Sequence, residues 1–216
     1  RWPMTGRAVA ALLALLTITA GCSALSGATS FTADRGTVSQ SALDDTGYAL
    51  ENESTQTITR SFAGQDVEVS NQLTEYARSS NLPVFGDARI ARFTVFTTPA
   101  VEVAEQGPFN PVADLNNTGL ALRLQNQYDT TENVQREGNR TETMLGQETT
   151  VGTFRADART TDGTSTEVFM HITQVRDGDD FVIAIAVYPT QLDGERETVN
   201  TLINGVQHET GDSGEA

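Results

Sequence analysis

The side chains able to do covalent, acid–base or metal chemistry in this 216-residue chain are few in kind: one cysteine, Cys22, two histidines, His171 and His208, and 29 acidic residues facing 14 arginines. Nucleophilic catalysis needs an activated hydroxyl or thiol beside a base. Cys22 lies at the end of an apolar N-terminal run, far in sequence from both histidines, and no Gly-x-Ser-x-Gly turn is present. His171 sits inside the strand-like stretch 167–173, where a satisfied structural histidine is expected, and His208 is expected at the end of a last helix, near its carbonyl dipole. No catalytic residue is assigned on these grounds.

Metal and phosphate chemistry have equally little support. The histidines are not spaced as an HxxxH pair and have no cysteine partner. Asp177-Gly178-Asp179-Asp180 is rich in carboxylates but lacks the closing Glu of a twelve-residue calcium loop, so a solvated hairpin turn is expected, with no metal and no cofactor. No Walker-type or dinucleotide glycine loop occurs. Asn52-Glu53-Ser54, Asn116-Asn117-Thr118 and Asn139-Arg140-Thr141 make Asn52, Asn116 and Asn139 possible glycosylation acceptors, of which at most one occupied site is expected. Nucleic acid is disfavoured because its binding rests on phosphate neutralisation, which an acidic chain opposes.

The N-terminus speaks of export. Thr5-Gly6-Arg7 gives a short positive flank, residues 8–20 are mostly apolar, and Thr19-Ala20-Gly21-Cys22 is a small-residue cleavage site. A helix over that run is roughly 20 Å long against ~30 Å of hydrocarbon, the length of a signal-peptide core and not of a permanent span. Ala20-Gly21-Cys22 resembles the lipobox of secreted lipoproteins, with Thr19 in the place usually taken by Leu. The expected organisation is a signal peptide at 1–21, a lipidated Cys22 with a flexible tether over 22–30, one domain over 31–206 and an acidic tail over 207–216. The protein is thus expected on the outer face of the cytoplasmic membrane, with membrane lipid as partner through Cys22. Arg1 stands first, and the export route, Sec or twin-arginine, is left open.

Charge says where such a protein works. There is no lysine, and without residues 1–21 the 29 acids face 12 arginines, a formal charge of −17. That charge self-repels in dilute buffer. At molar salt the screening length falls to roughly 3 Å and the repulsion fades. A hydrophobic content of 38% argues against an acidic disordered chain. With one cysteine there is no internal disulfide, so stability must come from a core.

The elements that would position these residues follow from spacing. Residues 39–47 open on Ser and close on Gly, as a short helix does. Residues 56–62 and 67–76 form a hairpin pattern, and 89–97 a further strand. Thr118 is placed as cap of a helix carrying Leu120, Leu124 and Tyr128, and Asn110-Pro111 as another helix start. Stretches 148–158, 165–176 and 181–188 read as strands joined at Asp162-Gly163 and Asp177-Gly178. The last is apolar on both faces, as a central strand must be. Asp193 is expected to cap a final helix with Val199, Leu202, Ile203 and Val206 on one face. The fold class expected is α+β: a single, mainly antiparallel sheet with helices packed on it, including a C-terminal helix.

Through Gly21-Cys22, Thr37-Val38-Ser39 to Thr46-Gly47-Tyr48, Phe109-Asn110-Pro111-Val112, Asp177-Gly178-Asp179-Asp180-Phe181-Val182 and Val187-Tyr188-Pro189, the chain resembles a family of haloarchaeal lipoproteins of uncharacterised function. The order from the Asn116 helix to the final helix is also similar to the PsbP-like fold. The first resemblance implies a surface lipoprotein and no assigned chemistry; the second is one of fold, which does not transfer function. The function expected is a non-catalytic binding or envelope module with a protein or small-molecule partner. The alternatives are a solute-binding lipoprotein of a transporter and a cell-envelope hydrolase using paired carboxylates.

Overall fold

A computed structural model describes residues 28–62, 65–79, 89–100, 102–103, 107–108, 115–127, 131–159 and 165–209. The signal segment, Cys22, Asn110-Pro111, Tyr128 and the Asp162-Gly163 turn lie outside these residues. In chain order the elements are β1 (Ala28–Thr32), β2 (Gly36–Val38), α1 (Gln40–Thr46), β3 (Ala49–Phe62), β4 (Gln65–Ser79), β5 (Arg89–Pro99), β6 (Glu102–Val103) and β7 (Gly107–Pro108). Then come α2 (Asn117–Gln127), β8 (Thr131–Met144), β9 (Gln147–Arg159), β10 (Ser165–Asp177), β11 (Asp180–Pro189), α3 (Glu195–Asn204) and β12 (Val206–His208).

One eight-stranded sheet dominates, so α+β fits only coarsely: the described chain is mostly strand, with three helices laid on it. Its path runs β4-β5-β11-β10-β9-β8, antiparallel throughout. Strand β3 pairs along one edge of β4, and β1 pairs with β4 in parallel, Ala28 opposite Asp66 and Thr32 opposite Ser70. Strand β5 meets β4 only from Gln72 to Ser79, so β1 continues the sheet where β5 stops.

Strand β11 explains the layering. Its alternate residues Val182, Ala184, Ala186 and Tyr188 join one core and Ile183, Ile185 and Val187 the other, as the period of two requires. The first core is roofed by α1, α3 and the β2–β12 ribbon, through Ala42, Val199, Leu202, Ile203, Val38 and Val206. The second is covered by Leu120 and Ala121 of α2. Each fully buried Leu or Ile stabilises by about 1.5–3 kcal/mol, so α3, with Val199, Leu202 and Ile203 at 0–1% exposure, is held mainly by its apolar face.

Helix α1 begins and ends as its sequence indicates: Ser39 Oγ accepts from the Ala42 N–H, and Gly47 closes it at φ 69°. Two expected caps are corrected. The Asn116 side chain, not Thr118, caps α2, accepting from the Gly119 N–H at 3.0 Å. Helix α3 starts after Gly194 (φ 77°) with no side-chain cap, so Asp193 does not cap it. Val206 is buried as expected, but on β12, because Gly205 ends the helix and the chain turns to pair with β2. Gly205 is needed there: a Cβ would stand 2.5 Å from that of Ala42 on α1.

Candidate functional site

A cleft of about 440 Å³ opens between the 190–197 segment, which includes the start of α3, and the middle of β8, β9 and β10 with the end of β11. The register assembles its floor. Thr153 of β9 lies opposite both Gly138 of β8 and His171 of β10, and Phe169 of β10 lies opposite Tyr188 of β11. Arg140 reaches across the same face from β8, the sheet's edge.

These side chains form one network. Arg140 Nη1 donates to His171 Nδ1 at 2.9 Å, and His171 Nε2 lies 2.8 Å from the Tyr188 hydroxyl. Arginine has no acceptor, so Nδ1 carries the lone pair and Nε2 the proton, which it donates to Tyr188. Thr153 Oγ1 stands 3.1 Å from Nδ1 and 3.3 Å from Arg140 Nη1. The His171 and Tyr188 rings stack at 5.4 Å. Burial, reinforced by the charges of Arg140 and Arg196, pushes His171 down to about 3, so the imidazole is neutral. Burial also pushes Tyr188 up to about 12 and lowers Arg140 from its ordinary value.

The walls carry charge already spoken for. Glu195, 1% exposed, is ion-paired to Arg78 and accepts the Tyr48 hydroxyl at 2.7 Å. Burial, then the Glu195 charge, raises Tyr48 above its ordinary value. Glu137 is held by Arg155 Nε at 2.9 Å, and Arg155 also binds Glu167 at 2.7 Å. Arg196 and Glu197 pair loosely at the rim, 3.3 Å apart, beside exposed Asp193.

The residues singled out by sequence are scattered. Cys22 lies outside the described residues. Asn52 is exposed on β3, its Nδ2 donating to Glu75 Oε2 at 3.0 Å; Asn116 is exposed and caps α2; Asn139 is exposed on β8 at the cleft rim. His171 is the buried, satisfied histidine expected. His208 is corrected from a helix end to β12, where its side chain is wholly buried between two carboxylates: Nδ1 is 2.9 Å from Asp177 Oδ2 and Nε2 is 3.2 Å from Asp180 Oδ2. The hydrogen bonds to Asp180 and Asp177 push it up to about 9. The acidic turn is thus tied to a histidine, and no cluster fit for a metal ion occurs among the described residues. Sequence reasoning missed Arg140, Tyr188, Arg78 and Glu195, which only long-range register brings together.

A family model described as a domain of unknown function, DUF6517, matches residues 35–207. Among solved structures the chain is similar to PA94, a protein of unknown function from Pseudomonas aeruginosa, at 11% identity and a TM-score of 0.31, covering 62% of this chain and 84% of that one. No curated protein matches it.

Proposed function

The chain belongs to the DUF6517 family, and from that premise we propose that it is a non-catalytic binding module of a salt-adapted archaeon, exported, tethered through a lipid on Cys22, with the α3 cleft as its binding site. The observation that carries the binding reading is the state of His171. It is 2% exposed, both ring nitrogens are engaged, and it is neutral down to about pH 3, so it organises the cleft floor and does not shuttle protons there.

A hydrolase would need two free carboxylates facing one another. Glu195 is taken by Arg78 and Tyr48, and Glu137 by Arg155. A cleft of this size suits a small solute, which favours the solute-binding variant of the reading over a purely structural envelope role.

The test has two arms. Cys22→Ser expressed in a haloarchaeal host is expected to lose lipid mass and leave the membrane fraction; unchanged retention and unchanged mass refute the anchor. A screen of small solutes against the soluble domain is expected to raise its melting temperature, and Arg196→Glu, at the exposed rim, to alter that response without unfolding the domain.

A further inference from the structure

We propose that the cleft takes a compact carboxylate, and preferentially a zwitterionic one of amino-acid type. This rests on the binding reading above and names its ligand. Two hydrogen-bond donors of cleft-lining residues have no acceptor among the described residues. Arg140 Nη2 is buried and without a hydrogen-bond partner, although Nε of the same guanidinium donates to Asn200 Oδ1 at 2.8 Å and faces Glu142 at 3.3 Å, and Nη1 is bound to His171 and Thr153. The Tyr188 hydroxyl receives the His171 Nε2 proton, and its own hydrogen has no acceptor among the described residues. Tyr188 is 3% exposed, so that hydrogen is not turned to bulk water.

A buried donor without a partner costs about 1–3 kcal/mol, more when it is charged. Arg140 and Tyr188 both line the cleft, and two such donors call for an oxygen acceptor, which a carboxylate supplies with charge-assisted bonds. The neutral His171 between them contributes no competing acceptor on this side, since its lone pair is spent on Arg140. The donor pair is fixed in place: the guanidinium is held at three of its nitrogen contacts, and the phenol ring is stacked on the imidazole.

The rim decides between anions. Asp193, Glu137, Glu197 and Arg196 line the cleft; Glu137 is paired to Arg155 and Glu197 to Arg196, which leaves Asp193 as the carboxylate without an ion pair among the described residues. A dianion such as phosphate meets the Asp193 charge at about twice the repulsion of a monocarboxylate, a difference that molar salt removes only beyond roughly 3 Å. A ligand with an ammonium group near its carboxylate meets the Asp193 carboxylate favourably, since that group makes no hydrogen bond or ion pair among the described residues.

The experiment is thermal unfolding of the soluble domain in molar NaCl with L-alanine, propionate, inorganic phosphate, n-propylamine and glucose as probes. At a probe concentration about 100 times Kd, a rise of several degrees is expected, in the order alanine, then propionate, with phosphate, propylamine and glucose inert. Tyr188→Phe and Arg140→Gln, each compared with its own unliganded baseline, should lose the alanine response. A stabilised Arg140→Gln domain that still responds to alanine overturns the proposal. A response to glucose or phosphate with none to the carboxylates overturns the ligand assignment while leaving a binding cleft. No response to any probe overturns both. Should Arg140→Gln fail to fold, the chemical shifts of wild-type Tyr188 and His171 decide: alanine must move both.

Discussion

His208 Nε2 stands 3.2 Å from Asp180 Oδ2, and the same oxygen accepts the Asp34 backbone N–H at 2.8 Å. The last strand is thereby pinned to the β10–β11 hairpin and to the entry of the domain at once. The groups facing this histidine are the two carboxylates, Asp177 and Asp180, and they raise its folded pKa to about 9 against an ordinary 6.5. A raised folded pKa gives stability that is complete below the unfolded value and lost as pH climbs through the folded one. Stability should therefore fall by about 3 kcal/mol between pH 6.5 and pH 9, measured by denaturant unfolding at constant salt. His208→Gln should flatten that limb; an unaltered slope in the variant would refute the latch.

His171 predicts the opposite limb. It must be neutral in the fold, with a pKa of about 3, while the unfolded chain takes up its proton near pH 6.5. Stability held above pH 6.5 is then lost on acidification, at about 1.4 kcal/mol per pH unit until the folded group also titrates. Together the two histidines place the stability maximum near pH 6.5. Denaturant midpoints measured from pH 5 to pH 10 check this, and a plateau across pH 5 to 6.5 would count against a neutral His171.

The Tyr48–Glu195–Arg78 contact joins α1's end and β4 to the first turn of α3. Glu195→Ala removes one partner of a buried pair and should cost about 3–5 kcal/mol, because Arg78 is left with its charge half-enclosed. Tyr48→Phe removes a single hydrogen bond and should cost about 1 kcal/mol, or up to the desolvation penalty of the Glu195 oxygen it leaves bare. In the double variant the losses should fall short of their sum, the signature of one shared contact.

Leu202 is fully buried between α3 and the sheet. Leu202→Asp puts an unpaired carboxylate there, at a cost of several kcal/mol, comparable to the whole stability of a domain. Thermal unfolding should show a non-cooperative or absent transition. An unchanged melting temperature would mean that α3 contributes no packing.

Charge gives a prediction at the scale of the whole molecule. The domain without residues 1–22 should be folded in molar NaCl and should loosen as the screening length grows from roughly 3 Å at 1 M to 30 Å at 0.01 M, because 29 carboxylates face 12 arginines. Circular dichroism that stays constant from molar to millimolar salt at pH 7 would show that the charge bias is not needed for folding.

What could be read from the residues was what burial imposes on the sequence. Strand β11 is legible because both its faces meet a core, and α1 because Ser39 and Gly47 are the residues that a short helix needs at its ends. Strand β8 could not be read: it is an edge strand whose side chains are mostly exposed, so nothing forces an alternation on Thr131–Met144. The final helix was overextended because Val206 keeps the apolar spacing while Gly205 redirects the backbone. The cleft was invisible for another reason. Arg140 and Tyr188 look like any arginine and any tyrosine until the strand register sets them on either side of His171.

The parallel pairing of β1 with β4 sets the start of the described chain far along the strands from the cleft. Ala28 lies level with Asp66 at one end of β4, whereas Val187, next to the cleft's Tyr188, lies level with Arg92 and through it with Ala77 near the other end. At about 3.3 Å per residue that separation is roughly 35 Å along the strands. Six residues join Cys22 to Ala28, a reach of at most about 20 Å. A lipid on Cys22 would therefore hold the Ala28–Asp66 end of the sheet near the bilayer and leave Tyr188 of the cleft most of a strand's length away from it.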